Sequence, residues 1–305
     1  MLAPIIIFTY RRNIDELIAS LQKNKLAIQS DLYIFSDGYK NEIDKKDVLE
    51  VRENLKEIDG FANISLIESP NNKGLANSVI EGVTYVFESY EKLIVLEDDL
   101  VVSSDFLDYM NEALNFYQES ENIWSISGYT PNLECLKEYD KDVFLSVRAS
   151  SWGWATWKER WESIDWDIKD YKKFKKDKNA IKEFNRGGND MSKMLETQML
   201  GKIDSWAIRW CYNQFKKQSY TIYPRKSKLI NVGFDEKGTH NSTGADRWST
   251  SLSNDKIIFE NLEINDKLIK CFAQKYDLEF KTKVGYFLKQ YGGYKFVKKI
   301  MNRIQ

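Results

Sequence analysis

The chain has 305 residues, of which 42% are hydrophobic and 30% are charged, a balance typical of a folded globular protein and not of a disordered one. Its formal net charge of −1 gives no reason to expect nucleic acid or another polyanion as a partner. The length allows one large domain or two smaller ones, and we expect a main domain over residues 1–260 with a helical appendage over residues 261–305.

The cysteines and the apolar runs bear on location. Cys135, Cys211 and Cys271 are widely spaced and odd in number, so we expect no disulfide or zinc framework, which suits a reducing cytoplasm. No apolar run approaches the ~18 residues needed to span a bilayer. The opening MLAPIIIFTYRR is too short for a signal peptide, and IIIFT is better interpreted as a first core strand.

The first half of the chain alternates short apolar runs with helical periodicity. This pattern predicts an α/β fold with a central, mostly parallel sheet flanked by helices. The expected strands are Ile5–Thr9, Leu32–Ser36, Ile64–Ile67, Leu93–Leu96 and Ile123–Ser127. The expected helices follow an Asn13 cap, run from Leu75 to Val86, and run from Phe106 to Tyr117.

The pattern changes after about residue 150. The Trp-rich stretch SSWGWATWKERW leads into a lysine-rich, helical region over residues 169–182, and Gly187-Gly188 then breaks the chain. Helical spacing resumes in DSWAIRWCYNQF, and TIYPRKSKLINVGFDEKGTH is typical of strand and loop. Because no internal repeat or low-complexity linker is visible, we expect a single interlocked unit ahead of the C-terminal appendage.

Polar residues follow three of the expected strands at the point where each one ends. They are Thr9-Tyr10-Arg11, Ser36-Asp37-Gly38 and Glu97-Asp98-Asp99. A parallel sheet binds ligands at the carboxyl ends of its strands, so the three segments form one candidate site.

The most informative segment is KLIVLEDDLVV, in which three carboxylates interrupt two apolar runs. An acid cluster at a strand end sometimes only caps the next helix or faces water. The functional interpretation is a divalent metal, because Mg²⁺ and Mn²⁺ favour hard oxygen ligands and are held by one or two carboxylates plus substrate phosphates. No Walker A or G-x-G-x-x-G sequence is present, so a nucleotide would be held through a metal and not by a glycine loop.

Several segments together resemble a known family. LIVLEDDLVVSSDFLDYM is similar to the strand–EDD–helix segment of N-acetylglucosaminyltransferase I and its bacterial relatives, which are GT-A-fold glycosyltransferases. IWSISGYTPN, VFLSVRASSWGWATWKERW, DSWAIRW and NVGFDEKGTH resemble further segments of that family, in the same order. The resemblance covers roughly residues 3 to 245; its EDD and WGW segments are specific, whereas its N-terminal strands are generic to the fold.

The resemblance implies a GT-A (Rossmann-like) nucleotide-diphospho-sugar transferase fold and an inverting transfer from a nucleotide-activated donor, usually a UDP-sugar. The family's last EDD acid binds Mn²⁺, a role that falls here on Asp99, with Mg²⁺ as the alternative ion. Asp98 would then lie near the ribose or sugar, and Glu97 near the donor hydroxyls. The metal would neutralise charge that builds on the leaving diphosphate.

Nucleotide contacts are expected at the other strand ends. Thr9, Tyr10 and Arg11 follow the first strand, where backbone N–H groups and the Arg11 guanidinium suit a phosphate. Asp37 is placed to accept the imide N–H of a uracil, although Asp37-Gly38 is equally a good turn pair. Lys73, in the loop NNKGL, suits a donor phosphate or base, or is a surface lysine beside a turn glycine.

The sharpest acceptor-side feature is the WGW triplet. Gly153 lets the backbone approach a ligand closely and is assigned to the donor side, while Trp152 or Trp154 would stack on a sugar face. Aromatic stripes are more often core than binding surface. We therefore expect Trp157 and Trp161, four residues apart, to belong to the core.

An inverting transfer needs a base that takes the proton of the attacking hydroxyl. The family places an Asp pair immediately before a Trp, whereas this chain has Ile203-Asp204-Ser205-Trp206, so only one acid is kept. We assign the base to Asp204, with Glu196 in reserve. The alternative is that Asp204 is only the N-cap of the following helix.

Two features of the C-terminal part remain. His240, the only histidine, matches the family's glycine–histidine stretch and is a candidate ligand of the metal or diphosphate, or an ordinary hydrogen-bonding residue. Residues 281–305 carry seven Lys/Arg and no acid among aromatic residues, which fits either a peripheral contact with an anionic membrane or a packed terminal helix.

The sequence thus predicts a cytoplasmic, metal-dependent hexosyltransferase that builds a bacterial surface polysaccharide, with a UDP-sugar such as UDP-GlcNAc as donor and a glycan or lipid-linked oligosaccharide as acceptor. One alternative is a sugar-1-phosphate nucleotidyltransferase, which would need a glycine-rich N-terminal phosphate loop that IIIFTYRRNIDE lacks. The other is a non-catalytic carbohydrate-binding protein that uses the Trp cluster.

Overall fold

The computed structural model describes residues 1–233 and 245–277. Its strands are β1 (Ile5–Thr9), β2 (Asp31–Ser36), β3 (Asn63–Glu68), β4 (Lys92–Glu97), β5 (Leu100–Val102), β6 (Ile123–Ser127), β7 (Val143–Ser146), β8 (Trp154–Trp157), β9 (Tyr220–Pro224) and β10 (Leu229–Asn231). The five strands expected from the sequence are all present, two with the expected ends and three longer by one or two residues.

Helices occupy most of the segments between the strands. They are α1 (Asp15–Gln22), α2 (Glu42–Leu55), α3 (Leu75–Phe87), α4 (Phe106–Phe116), α5 (Lys158–Glu162), α6 (Tyr171–Phe174), α7 (Lys178–Phe184), α8 (Met191–Met199), α9 (Trp206–Lys216), α10 (Ala245–Trp248) and α11 (Asp266–Tyr276). The expected Asn13 cap is displaced by one residue: Ile14 precedes α1, and Asn13 Oδ1 accepts a hydrogen bond from the Asp15 N–H. The lysine-rich region is helical, as expected, but is divided between two short helices.

An eight-stranded sheet in the order β3-β2-β1-β4-β8-β6-β9-β7 forms the centre of the molecule. Strands β1 to β4 pair in parallel, because the helices α1, α2 and α3 that connect them in turn return the chain to the same end of the sheet. Strand β8 runs antiparallel to both of its neighbours, β4 and β6. The α/β class with a central, mostly parallel sheet and flanking helices is therefore confirmed.

Two apolar layers cover the two faces of the sheet. Alternate residues of β1 point to opposite sides: Ile5 and Ile7 join the layer that includes α1 and α4, while Ile6 and Phe8 join the layer that includes α3 and α9. This alternation is the period-2 geometry of a strand buried on both faces. It explains why IIIFT has no polar face.

The Trp-rich segment lies in the second of these layers. Trp157 and Trp161 are both 3% exposed, as expected for core residues. Trp154 is also core, at 0% exposure, and its ring lies 5.8 Å from that of Trp161 and 5.4 Å from that of Trp210. The expectation that Trp154 stacks on a sugar is therefore wrong. The physical reason is that Trp154 opens β8, a strand inserted in the middle of the sheet.

The C-terminal helix α11 packs on the main domain. Its Phe272 lies against Phe144 of β7 and Tyr223 of β9, and Cys271 forms a disulfide with Cys135. The expectation that the cysteines form no disulfide is wrong, because a bond across 136 residues of sequence depends on tertiary proximity that spacing does not reveal. The ground for predicting a reducing compartment is lost with it.

Two sequence expectations fall on residues without a described structure: His240 and the basic segment 281–305 lie outside the described ranges. The proposed division at residue 260 also has most of its second part there. Among the residues that are described, none of the helices combines the length and apolar character of a membrane span.

Candidate active site

The strand register brings the polar strand ends together. Phe8 pairs with Glu97 and Thr9 pairs with Ser36, so Thr9, Asp37 and Asp98 follow at the same edge of the sheet. They line a cavity of about 1040 Å³. Of the candidate site residues, the cavity-lining ones are Thr9, Tyr10, Asp37, Glu97, Asp98, Asp99 and Trp152.

The three carboxylates of the EDD segment are half-buried at the end of β4. Burial raises the pKa of Glu97 well above its usual value, and the negative charges of Asp99 and Asp98 raise it further. Burial and the Asp99 charge raise the pKa of Asp98 to about 6, against the opposing effects of the Arg12 charge and of hydrogen bonds from Tyr10 and Thr9. The cluster therefore favours a proton or a cation.

Strand β10 runs beside the acidic cluster. It pairs antiparallel with β5, and the Val232 N–H donates to the Asp99 carbonyl at 2.8 Å. A Cβ atom added to Gly233 would lie 2.3 Å from Asp99 Oδ2. Only glycine, which has no side chain, leaves room for the Asp99 carboxylate at this place. This close fit is consistent with a site in which that carboxylate has a defined position.

Asp37 holds the loop that precedes α3. Its carboxylate accepts hydrogen bonds from the N–H groups of Gly38, Lys73 and Gly74, at 2.9 to 3.2 Å, and from the Asn72 amide at 3.0 Å. These bonds fix the loop against the end of β2. Asp37 therefore shapes the cavity wall in addition to lining it.

Tyr10 and Arg11 are both held by Asp44 of α2. The Tyr10 hydroxyl donates to Asp44 Oδ2 at 2.8 Å, and Arg11 Nη1 donates to Asp44 Oδ1 at 2.6 Å. Tyr10 lines the cavity, whereas Arg11 does not. Lys73 is also outside it, since its Nζ atom pairs with Glu81 at 2.6 Å. The structure therefore does not bring these two expected cations to the site.

Gly153 does not line the cavity either. Its φ of +54° belongs to the left-handed region, and an added Cβ would lie 2.1 Å from Leu229 Cδ2. The need for glycine here is tight packing against β10 and an unusual backbone turn. The expectation that Gly153 makes room for a ligand is corrected accordingly.

Neither of the two candidate bases lines the cavity. The Asp204 side chain is 56% exposed and pairs with Arg209 at 3.3 Å. The N-cap of α9 is Ser205, whose side chain accepts the Ile208 N–H, so the alternative that Asp204 caps this helix is wrong. Asp204 Oδ2 lies 4.0 Å from the position of a Cβ on Gly74, a cavity residue. Glu196 pairs with Lys193 on α8 at 3.3 Å and is not a lining residue.

Sequence reasoning missed a buried ion pair in the wall of the same cavity. Arg148 donates to Asp190 through both terminal nitrogens, at 2.8 and 2.9 Å, and both residues line the cavity. Burial alone would lower the pKa of Arg148, but the Asp190 charge raises it, and the net shift is upward. The signal that could have pointed to this pair was Gly188, two residues before Asp190. An added Cβ at Gly188 would lie 2.5 Å from Asp190 Oδ1.

The described residues contain no group of three or more His, Cys, Asp or Glu side chains arranged to hold a metal. The donor set of the EDD segment nevertheless suits Mn²⁺ or Mg²⁺, because these ions take one or two carboxylates and complete their coordination with water and phosphate oxygens. The close fit of Gly233 around Asp99 and the mutual repulsion of the carboxylates are consistent with that use.

No protein-family model and no curated protein matches the chain. Among solved structures, the chain is similar to the mannosyltransferase PcManGT from Pyrobaculum calidifontis in complex with GDP-Man and Mn²⁺, with 11% identity and a TM-score of 0.36. The match covers 52% of this chain and 44% of that protein. It is also similar to GalNAc-T7 with UDP, GalNAc and Mn²⁺, with 10% identity and a TM-score of 0.46. The match covers 78% of this chain and 45% of that protein. This chain spans less than half the length of either protein.

Proposed function

We propose that this chain is a GT-A glycosyltransferase that moves a sugar from a nucleotide-diphospho-sugar to a glycan hydroxyl. The observation that carries the proposal is the acidic triple at the end of β4, which lies in the wall of a cavity of about 1040 Å³. That volume is at the upper end of the roughly 300–1000 Å³ typical of ligand pockets. A nucleotide sugar is a ligand of suitable size and charge.

Asp99 is the proposed metal ligand, with Asp98 and Glu97 toward the ribose and sugar of the donor. When bound, Mn²⁺ or Mg²⁺ would neutralise charge on the leaving diphosphate. Asp37 contributes indirectly: its carboxylate accepts hydrogen bonds from Asn72, Lys73 and Gly74 and so holds the 72–74 loop at the cavity wall. His240 stays a candidate second ligand outside the described residues.

Asp204 is the proposed base of an inverting transfer. Its Oδ atoms are not engaged by the helix N-terminus, since Ser205 caps α9. Arg209 pairs with it at 3.3 Å and holds its carboxylate near the loop that begins α3. From there it would take the proton of the attacking hydroxyl as the bond to the leaving group breaks.

The finer assignments extend the same proposal. The donor is a UDP-sugar such as UDP-GlcNAc, and the acceptor is a glycan or lipid-linked oligosaccharide in bacterial surface polysaccharide synthesis. The basic segment 281–305 would hold the enzyme on the inner face of the membrane. A non-catalytic carbohydrate-binding protein is a second candidate, favoured by the aromatic residues Trp152, Trp248 and Tyr276 in the cavity wall.

The deciding experiment is calorimetric titration of UDP-GlcNAc, with and without Mn²⁺. In the Asp99→Asn variant, which keeps the size of the side chain, we expect Mn²⁺-dependent affinity to fall by roughly 100-fold or more, since a unit charge at ~4 Å contributes about 4 kcal/mol at an effective dielectric of 20. Asp47→Asn, at an exposed acid of α2, is the matched control. Equal affinity in the wild-type and Asp99→Asn proteins would remove the basis of the assignment.

A further inference from the structure

One part of the cavity wall is aromatic. The rings of Trp152 and Trp248 are 6.2 Å apart and nearly perpendicular, and the Trp248 ring is 5.0 Å from that of Tyr276. All three side chains are half-buried and line the cavity. Tyr129 lies behind them, 4.8 Å from Trp152, and its hydroxyl donates to the Trp248 carbonyl at 2.7 Å. The wall is thus fixed from behind.

The charged groups beside this wall are balanced. Arg148 lies 3.9 Å above the Tyr276 ring and is bonded to Asp190 through two hydrogen bonds. Arg247 donates through Nε and Nη2 to the carbonyls of Lys275 and Asp277. Among the described residues that line this wall, the cations Arg148 and Arg247 are matched in number by the anions Asp190 and Asp277. The formal charges of these four described residues therefore cancel.

The chemistry of the wall selects a class of ligand. Aromatic faces cover the C–H faces of a ring, and a paired guanidinium and carboxylate offer donors and acceptors at fixed positions to neighbouring hydroxyls. A phosphate or carboxylate would instead have to displace Asp190 from Arg148, which is costly for a buried pair. The balanced charge favours an uncharged polyol ring.

Resting on the proposed function, we propose that Trp152, Trp248 and Tyr276, together with the Arg148–Asp190 pair, form the acceptor subsite and bind a neutral saccharide. The subsite includes the end of α11, whose Cys271 is joined to Cys135 beside β7. The segment expected from sequence to be an appendage is therefore part of the binding wall. The proposed acceptor subsite therefore consists mostly of residues outside the WGW triplet. Trp152 is the one residue that belongs to both the triplet and the subsite.

Saturation-transfer NMR and tryptophan fluorescence on the whole chain test this subsite without any transfer reaction. The probes are the methyl glycosides of glucose, galactose, mannose and N-acetylglucosamine, with methyl glucuronide as the charged partner of methyl glucoside. We expect at least one neutral glycoside to bind and the glucuronide to bind more weakly. Failure of all four neutral probes, or tighter binding of the glucuronide, overturns the proposal.

Substitutions locate the site. Trp248→Leu should weaken binding of the neutral glycoside by roughly tenfold, the loss typical of truncating a desolvated aromatic anchor. Trp152→Leu is a second variant in case Trp248→Leu does not fold, and Tyr85→Leu, at a ring 53% exposed outside the cavity, is the control. Unchanged affinity in both tryptophan variants contradicts the subsite. UDP-GlcNAc titration of the same proteins separates the two proposals, since glycoside binding without donor binding sinks the transferase and keeps the saccharide site.

Discussion

The two ends of the cavity satisfy their charges in opposite ways. At the strand ends, the consecutive residues Glu97, Asp98 and Asp99 carry like charges. Burial together with their mutual repulsion raises the pKa values of Glu97 and Asp98. At the aromatic wall, Arg148 and Asp190 are opposite charges joined by two hydrogen bonds. One end favours the addition of a cation, while the other is already neutral.

Under the proposed function, this difference would let one cavity bind two substrates. A nucleotide diphosphate carries negative charge and needs a cation at its site, whereas a sugar hydroxyl needs shape and hydrogen bonds. Polar groups left unmatched in a low-dielectric cavity are costly, so we expect each end to suit the ligand proposed for it. Asp204, near Gly74, belongs to neither end, and its role is the largest test of the division.

The first prediction tests the role of Asp204. If Asp204 is the base, Asp204→Asn keeps the size of the side chain but cannot accept a proton, and turnover should fall by roughly 10²–10⁴-fold with donor affinity nearly unchanged. Steady-state kinetics and donor titration on the same protein measure the two effects separately.

Ser205→Ala is the control for this variant. It removes the side-chain cap of α9 and should cost about 1 kcal/mol of stability without a comparable loss of turnover. A near-wild-type rate for Asp204→Asn would exclude it as the base. Glu196→Gln and Asp190→Asn would then be the next variants to measure.

The sequence was most informative at the donor end. The apolar runs of β1, β2 and β4 locate their own ends, and a parallel sheet aligns those ends by geometry alone, so the sequence is sufficient to group Thr9, Asp37 and Asp98. Local patterns are enough when the site is built from neighbouring strand ends.

The acceptor end could not be predicted in the same way. Its wall joins Arg148, Asp190, Trp248 and Tyr276, which are distant in sequence and have no common motif. Strand β8 also explains why the expectation that Trp154 stacks on a sugar is wrong. Trp154 pairs with β4 in the middle of the sheet and is buried there. Only tertiary packing distinguishes that tryptophan from Trp152, two residues earlier.

A second prediction sharpens the comparison through the disulfide. Cys135→Ser with Cys271→Ser frees α11 from the segment before β7, and a cross-link over 136 residues of sequence is expected to be among the larger stabilising ones. We expect the free energy of unfolding to fall by roughly 2–4 kcal/mol. Because α11 carries Tyr276, affinity for neutral glycosides should also fall, whereas Mn²⁺-dependent donor affinity should not.

Chemical denaturation and the two titrations check this prediction. Dithiothreitol on the wild-type protein should reproduce the effect, and on the double variant it should do nothing further. Equal losses of glycoside and donor affinity would mean that α11 supports the whole cavity and that the two ends are not independent.

The last and smallest prediction concerns the donor end without metal. The pKa of Asp98 is raised from 3.8 to about 6 in the folded protein, so the folded state binds its proton more tightly than the unfolded state does. Its ionisation therefore destabilises the fold fully above pH 6, and the penalty is relieved as the pH falls from 6 toward 4. Asp98→Asn removes the charge, so in EDTA at pH 7.5 we expect unfolding to cost about 1–3 kcal/mol more. The gain should disappear near pH 4, and Asp47→Asn should show neither effect. Thermal unfolding as a function of pH measures both, and a loss of stability in Asp98→Asn at pH 7.5 would show that the carboxylate is already satisfied by its neighbours, as Asp190 is at the other end.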